Sequence, residues 1–148
     1  MSKIQSEAME ILLVEDNDDD IVMTMESFSE ANVQNKINVV RDGEEALSYL
    51  RKEGAYSAVT TPSLILMDIN MPKKNGFEVL VELKQEPGLR HIPVVILTTS
   101  QREEDIIRSF ASGACSYIPK PVGFDNFIEV ARQFSAYWDV VSRVPSQA

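Results

Sequence analysis

The amino-acid sequence predicts a doubly wound α/β domain, in which helices cover both faces of a parallel β-sheet. Two observations lead to this prediction. Short apolar runs alternate with longer stretches of helical periodicity, giving five successive strand–helix units. The short runs are apolar on both of their sides, which is typical of strands buried on both faces and joined by right-handed crossovers.

The first two units are short and regular. Residues 11–14 form an apolar run that stops at two acidic residues, and the amphipathic stretch 19–31 follows as a helix. Residues 37–41 alternate between apolar and polar, as a strand does, and residues 42–52 begin with acids that favour the first turn of a helix. These patterns predict two βα units.

The third unit has the clearest pattern. Residues 63–67 are almost entirely apolar and end at Asp68. Residues 71–76 combine Pro, Asn and Gly, which are typical of a loop. The sequence therefore predicts a strand that ends at Asp68, a loop, and a helix over residues 77–85.

The last two units complete the alternation. Residues 93–97 are rich in β-branched side chains and predict a strand, and residues 103–112 predict a helix that Gly113 ends. Residues 115–118 predict a short fifth strand, and residues 124–141 predict the final helix.

Length and composition predict one domain. The chain has 148 residues, of which 44% are hydrophobic, enough for a single core. No repeat, low-complexity tract or Gly/Ser linker divides it. We expect residues 1–148 to form one domain, with a core of about 9–131 and residues 132–148 extending the last helix into a short tail.

Charge and cysteine content restrict the function. The 14 basic and 23 acidic residues give a net charge of −9, which argues against a nucleic acid or an anionic membrane as partner. Cys115 is the single cysteine, so no intrachain disulfide forms. No apolar run reaches the roughly 18 residues of a membrane span. We expect a cytoplasmic protein.

Polar residues follow the predicted strands at their carboxyl ends, where open α/β sheets bind ligands. They are Glu15 and Asp16 after the first strand, Asp68 after the third, Thr98 after the fourth and Lys120 after the fifth. Three neighbouring carboxylates repel by about 1 kcal/mol per pair in water and about 4 kcal/mol at a dielectric near 20. A hard divalent cation such as Mg²⁺ neutralises them, and an aspartate beside such a cation is a potential nucleophile toward phosphorus.

Each of these residues has a simpler interpretation when taken alone. An acid at a strand end is often a solvated loop residue, Lys120 is often a surface charge, and Thr98 is often chosen for its β-propensity. Asp68 alone is compatible with capping the following loop. Their joint position at one edge of the sheet favours a phosphoryl and Mg²⁺ site.

The sequence resembles the receiver domain of bacterial two-component response regulators over about residues 9–142. The resemblance depends on four motifs, which are Leu-Val-Glu-Asp-Asn at 13–17, Met-Asp-Ile-Asn-Met-Pro at 67–72, Leu-Thr-Thr-Ser at 97–100 and Tyr-Ile-Pro-Lys-Pro at 117–121. Their spacings also fit the family, with thirty residues from Asp68 to Thr98 and fifty-two from Asp68 to Lys120.

The resemblance implies a flavodoxin-like sandwich of five βα units with strand order 2-1-3-4-5. It implies that Asp68 is the phosphoacceptor and that Mg²⁺, or alternatively Mn²⁺, binds nearby. In the same way Asp16 is implied as a direct metal ligand, Glu15 as a ligand through water, and Asn70 as a ligand through its backbone carbonyl.

Three further roles are implied by the resemblance. Thr98 bonds the phosphoryl group after its loop shifts, and Lys120 pairs with a phosphoryl oxygen. Tyr117 rotates inward once Thr98 has moved, so Thr98 and Tyr117 form the switch.

The function implied is that of a response regulator that accepts a phosphoryl group from a partner histidine kinase and signals by contact with other proteins. It catalyses only its own phosphorylation and dephosphorylation and is otherwise not an enzyme. The only histidine of the chain, His91, lies far along the sequence from the acids, so the donor belongs to another protein. The insertion at 54–62, the Thr-Thr-Ser run at 98–100 and the aromatic last helix are similar to those of single-domain regulators paired with bacterial phytochrome histidine kinases.

The last helix carries aromatic and apolar residues beyond the predicted sheet, namely Phe134, Tyr137, Trp138 and Val141. Exposed aromatics of this density are typical of an interface. We hypothesise a homodimer through the fourth helix, the fifth strand and the fifth helix. The alternative is that these side chains fold back on their own chain.

The sequence leaves other functions open. A Mg²⁺-dependent phosphohydrolase typically has a second acid two residues after its nucleophile, where this chain has Asn70. A binding module that works without phosphorylation, a phosphorelay intermediate that passes the group to another histidine protein, and a flavin-binding protein are further alternatives. The combined set of acids, Thr98 and Lys120 favours the receiver.

Overall fold

The computed structural model describes residues 10–30, 36–98, 108, 111, 113 and 116–119. Their strands form one parallel sheet in the order β2-β1-β3-β4-β5. The strands are β1 (Glu10–Val14), β2 (Lys36–Val40), β3 (Leu64–Asp68), β4 (Val94–Thr98) and β5 (Ser116–Pro119). The predicted parallel α/β sheet is confirmed.

Helices connect the strands, with α1 at Asp18–Glu30, α2 at Gly43–Leu50 and α3 at Gly76–Gln85. A short 3₁₀ turn covers Gly54–Tyr56. The helices predicted over 19–31, 42–52 and 77–85 match these elements to within two residues. Among the described helices, none combines the length and the apolar character that a bilayer crossing requires.

Local hydrogen bonds set the helix boundaries. The side chain of Asp42 accepts from the N–H of Glu45 (2.7 Å) at the start of α2. Asn75 and Glu78 form a reciprocal capping box at the start of α3, with both bonds at 2.9 Å. These caps explain why α2 and α3 begin where they do.

The helix predicted over 42–52 ends earlier, at Leu50. Lys52 adopts a left-handed backbone conformation with φ of 58°. The N–H of Lys52 donates to the Tyr49 carbonyl (3.1 Å) and that of Glu53 donates to the Ser48 carbonyl (2.9 Å). This is the Schellman pattern that ends helices, formed here with lysine in the place usually taken by glycine.

The core lies between the central strands and helices α2 and α3. All four residues at 11–14 and all four at 64–67 are fully buried. Alternate strand residues face α2 and α3, where they pack against Leu47, Leu50, Phe77, Leu80 and Leu83. Burying each such side chain contributes roughly 1.5–3 kcal/mol, so the centre of the sheet is a rigid support for the residues at its ends.

Part of the C-terminal prediction lies outside the described residues. Arg108 and Ala111 are helical, within the helix predicted over 103–112. The Arg108 guanidinium lies 4.2 Å from the centre of the Phe77 ring of α3, a cation–π contact. The predicted last helix, 124–141, and the tail after it lie outside the described residues.

Candidate metal centre

Three carboxylates meet at the carboxyl end of the sheet. Oxygen atoms of Glu15, Asp16 and Asp68 all lie within 4.8 Å of one another. Glu15 is 1% exposed and Asp68 is 6% exposed, whereas Asp16 is open to solvent. The cluster therefore has two buried members and one that faces water.

Strand register brings these acids together. β1 and β3 are neighbours in the sheet, with Val14 paired to Met67. The next residues along the two strands are Glu15 and Asp68, so the same alignment places them side by side. The N–H of Glu15 donates to the Val40 carbonyl at 3.0 Å, which fixes the chain just beyond β1.

The donor set fits a hard divalent cation. Three carboxylates this close repel one another, and a cation offsets that repulsion. Mg²⁺ prefers oxygen ligands and keeps several waters while it binds one or two carboxylates. Two buried acids with one exposed acid beside them provide both the oxygen ligands and access for water.

Asn17 is a residue of this site to which sequence reasoning assigned no role. Its backbone N–H donates to Oε2 of Glu15 at 3.2 Å. Its side-chain oxygen accepts from the N–H of Asp20 at 2.9 Å, as the N-cap of α1. One residue thus orients the Glu15 carboxylate and starts the next helix. The signal was present, because Asn followed by three Asp is typical of a helix start.

Gly76 is a second residue that the sequence did not single out. A Cβ at this position would lie 2.4 Å from the backbone oxygen of Asp68. The N–H of Gly76 also donates to the Ile69 carbonyl at 2.8 Å. The first residue of α3 therefore rests directly on the backbone of the buried aspartate, and only glycine allows that approach.

The loop after Asp68 also contacts the start of α2. Lys73 has a φ of 70°, and the N–H of Lys74 donates across it to the Pro72 carbonyl at 2.7 Å, forming a three-residue turn. The Lys73 ammonium lies 3.8 Å from the Asp42 carboxylate. A Cβ on Gly43 would lie 2.2 Å from the Lys74 carbonyl oxygen, so this contact is also close.

The other predicted site residues have different positions. Asn70 is exposed in the loop, two residues after Asp68. Thr98 is the last residue of β4, and its backbone is paired with Pro119 of β5. The backbone of Tyr117 is paired with Ile96. The structure therefore groups Glu15, Asp16 and Asp68 and places the backbones of Thr98 and Tyr117 on the neighbouring strands.

Five predicted residues lie outside the described part of the chain. They are Lys120 of the proposed site and the interface candidates Phe134, Tyr137, Trp138 and Val141.

Comparison with known proteins identifies relatives of this chain. The model of the response regulator receiver domain matches residues 11–132. The response regulator Rcp1 of Synechocystis sp. is 38% identical over 128 residues, covering 86% of this chain and 87% of Rcp1. The similarity thus extends over nearly the whole of both proteins.

Solved structures show the same relationship. The bacteriophytochrome response regulator AtBRR is similar with a TM-score of 0.81 and 40% identity, covering 89% of this chain and 96% of AtBRR. The phosphorylated cyanobacterial phytochrome response regulator RcpA has a TM-score of 0.74 and 42% identity, covering 88% and 93%. The Mn²⁺-bound form of Rcp1 has a TM-score of 0.73 and 37% identity, covering 88% and 94%.

Proposed function

The chain belongs to the family of response regulator receiver domains, and from this premise we propose that Asp68 accepts a phosphoryl group from a partner histidine kinase. The observation that supports this most directly is the cluster of Glu15, Asp16 and Asp68 at the carboxyl end of the sheet. Asp68 is the member on the central strand β3, held against the backbone of Gly76. A carboxylate on a backbone held in this way, beside two others, is suited to nucleophilic attack once their charges are neutralised.

The proposed reaction is a phosphoryl transfer. A carboxylate oxygen of Asp68 attacks the phosphorus of a phosphohistidine, and the new O–P bond forms as the N–P bond breaks. The imidazole nitrogen leaves with the electron pair. Positioning and charge neutralisation provide most of the catalysis in such reactions, so a separate general base is not required. The chain promotes its own phosphorylation and dephosphorylation and does not turn over another substrate.

We propose that Mg²⁺ binds at this cluster, with Mn²⁺ as a substitute. Asp16 and Asp68 would bind it directly, Glu15 would bind it through water, and Asn70 would contribute its backbone carbonyl. When bound, the cation offsets negative charge on the phosphoryl oxygens. The Mn²⁺-bound form of the relative Rcp1 supports the choice of a divalent cation.

The remaining site residues complete the proposed switch. Lys120 pairs with a phosphoryl oxygen, Thr98 bonds the phosphoryl group, and Tyr117 follows Thr98 inward. A coupling of about 1–3 kcal/mol between phosphorylation and partner binding changes partner affinity about 5- to 150-fold. The position of Thr98 at the end of β4, next to the strand that carries Asp68, supports this assignment.

The partner we propose is a phytochrome-type histidine kinase, since AtBRR and RcpA are both phytochrome response regulators. We also propose that the domain is a five-stranded receiver sandwich with a long C-terminal helix. Phe134, Tyr137, Trp138 and Val141 of that helix form part of a homodimer interface with the fourth helix and the fifth strand. The protein acts in the cytoplasm through protein contacts, without binding nucleic acid or membrane.

The test is a phosphorylation assay on the whole chain. The protein is incubated with Mg²⁺ and either acetyl phosphate or a phosphorylated phytochrome histidine kinase, and the added phosphoryl group is detected by intact-protein mass. Asp68→Asn should abolish the product, and a chelator should do the same for the wild type. Asp19→Asn is the matched control, because Asp19 is an exposed acid outside the cluster.

Two outcomes would reject this function. Label that persists in Asp68→Asn would show that another residue is the acceptor. A wild type that stays unmodified by both donors while its Mn²⁺ site is intact would favour a binding module that works without phosphorylation.

A further inference from the structure

A polar cavity lies along β2, away from the three carboxylates. It has a volume of about 480 Å³ and is lined by the first residue of β1, three residues of β2, the end of α2 and the segment after α2. The volume lies within the range of small-molecule sites. Glu10 lines this cavity, and β1 separates it from Glu15 by about 17 Å at ~3.3 Å per residue. A ligand here does not compete with the candidate metal centre.

Two opposite charges stand side by side at the cavity. Glu10 and Lys36 are directly paired in the register of β1 and β2. Oε1 of Glu10 accepts from the Asn38 amide at 3.0 Å. Within the described part of the chain, no hydrogen bond or ion pair engages Oε2 of Glu10 or the Lys36 ammonium. Among the described residues, one oxygen of Glu10 and the Lys36 ammonium therefore keep capacity for a further contact.

The negative charge of Glu10 extends into the cavity. Burial raises the pKa of Tyr49, and the neighbouring Glu10 carboxylate raises it further, while a hydrogen bond from Asn38 opposes the rise. Glu10 and Asn38 are joined by a hydrogen bond and line the polar side of the cavity together with Tyr49. A cationic group on a ligand gains from this polar side, and Lys36 attracts an anionic group at the edge.

The other wall is apolar and held in place before any ligand arrives. Tyr56 and Val59 pack against the hydrophobic core, and the Tyr56 ring lies 5.1 Å from the Tyr49 ring. The Tyr56 hydroxyl donates a hydrogen bond to the Glu45 carboxylate of α2. A wall that is already ordered reduces the entropy lost when a ligand binds.

We propose that this cavity binds a free α-amino acid with an apolar or aromatic side chain. The ligand's ammonium contacts Glu10, its carboxylate contacts Lys36, and its side chain packs against Tyr56 and Val59. The pairing of both charges with an apolar wall selects a zwitterion over a simple amine or acid. Because both charged residues are partly solvated, the expected dissociation constant is on the order of 1 mM.

The test is a titration of the ¹⁵N-labelled whole chain with L-phenylalanine and with L-leucine, followed by amide chemical shifts. Saturable shifts are expected at residues 36–39 and 55–60. Phenethylamine lacks the carboxylate and 3-phenylpropionate lacks the ammonium, so each should bind about fivefold more weakly than L-phenylalanine.

Two charge variants identify the contacts. Glu10→Gln should reduce the affinity for L-phenylalanine about fivefold while leaving that for 3-phenylpropionate unchanged, since only the ammonium contact is lost. Lys36→Gln should reduce the affinity for L-phenylalanine about fivefold while leaving that for phenethylamine unchanged, since only the carboxylate contact is lost. A general structural change would weaken the binding of all three ligands. Glu44→Gln, an exposed acid of α2 outside the cavity, should bind as the wild type does.

The proposal is overturned if neither amino acid gives saturable shifts, if the three phenyl compounds bind equally well, or if both charge variants bind L-phenylalanine as tightly as the wild type. Binding of L-phenylalanine should not depend on phosphorylation, so Asp68→Asn should bind it as the wild type does. Failure of one proposal therefore leaves the other intact.

Discussion

Replacing Gly76 with alanine tests whether α3 must rest on the backbone of Asp68. The new Cβ would lie 2.4 Å from the Asp68 oxygen and 3.0 Å from Cα of Ile69. Ordinary van der Waals contact begins at 3.4 Å, so the helix and the strand end must separate by about 1 Å. Both obstructing atoms belong to the backbone, and no side-chain rotation relieves the contact.

The magnitude follows from two opposing effects. Overpacking of this kind costs about 1–3 kcal/mol. Alanine gains up to ~1 kcal/mol over glycine from helix propensity, and less at the first residue of a helix. We therefore expect Gly76→Ala to lower the free energy of unfolding by about 1–2 kcal/mol. Because Asp68 moves with its backbone, the affinity for Mn²⁺ should fall about tenfold or more.

Urea unfolding measures the stability, and calorimetric titration with Mn²⁺ measures the affinity. Gly88→Ala is the matched control, because a Cβ at Gly88 meets nothing within 4 Å and its φ is not positive. That variant should be unchanged or stabilised by up to about 1 kcal/mol through the unfolded state. A Gly76→Ala protein with wild-type stability and Mn²⁺ affinity would refute the close-approach argument.

Three further predictions concern α2, α3 and the segments next to them. Lys52→Gly should stabilise the protein by about 0.5–1 kcal/mol, because glycine tolerates the left-handed conformation after α2. A melting temperature below that of the wild type would contradict this. Tyr56→Phe should cost about 1 kcal/mol at neutral pH by removing the bond to Glu45. That bond raises the pKa of Tyr56 to about 12. Its contribution to stability is therefore complete below pH 10.0 and is lost as the pH rises through 12. In an absorbance titration, the variant should lack the tyrosinate signal of Tyr56 that appears near pH 12. Glu82→Gln should destabilise the protein at neutral pH but not in acid, because the hydrogen bond from Lys74 lowers the pKa of Glu82. In urea unfolding, a difference in stability between variant and wild type that persists at low pH would argue against this pair.

The strand–helix alternation and the three-acid cluster were predictable because they depend on local pattern. Apolar runs of strand length mark the sheet, and the acids come directly after them in the chain. Parallel strands align their carboxyl ends, so Glu15 and Asp68 had to meet if β1 and β3 were neighbours. The family resemblance implied that β1 and β3 are neighbours, since periodicity predicts strands but not their order in the sheet.

Other features depended on distances between elements that are remote in sequence. The contact of Gly43 with the Lys74 carbonyl, and the bond from Tyr56 to Glu45, arise only when α2 packs beside α3 and the following segment folds over it. Asn17 was quoted within a motif, yet its bond to Glu15 became visible only in three dimensions. These details depend on side-chain directions that no periodicity encodes.

The sequence by itself therefore determined the fold class and the acids that form the candidate centre. The reason is that the pattern of apolar and polar residues predicts which segments are buried and where each strand ends. The tertiary structure alone decided how that centre is supported, by Gly76 against Asp68 and Asn17 against Glu15. It also revealed the pairing of Glu10 with Lys36 at the far end of the sheet. The physical reason is that register and close packing fix contacts to within an ångström, whereas hydrophobic pattern fixes only which face of an element is buried.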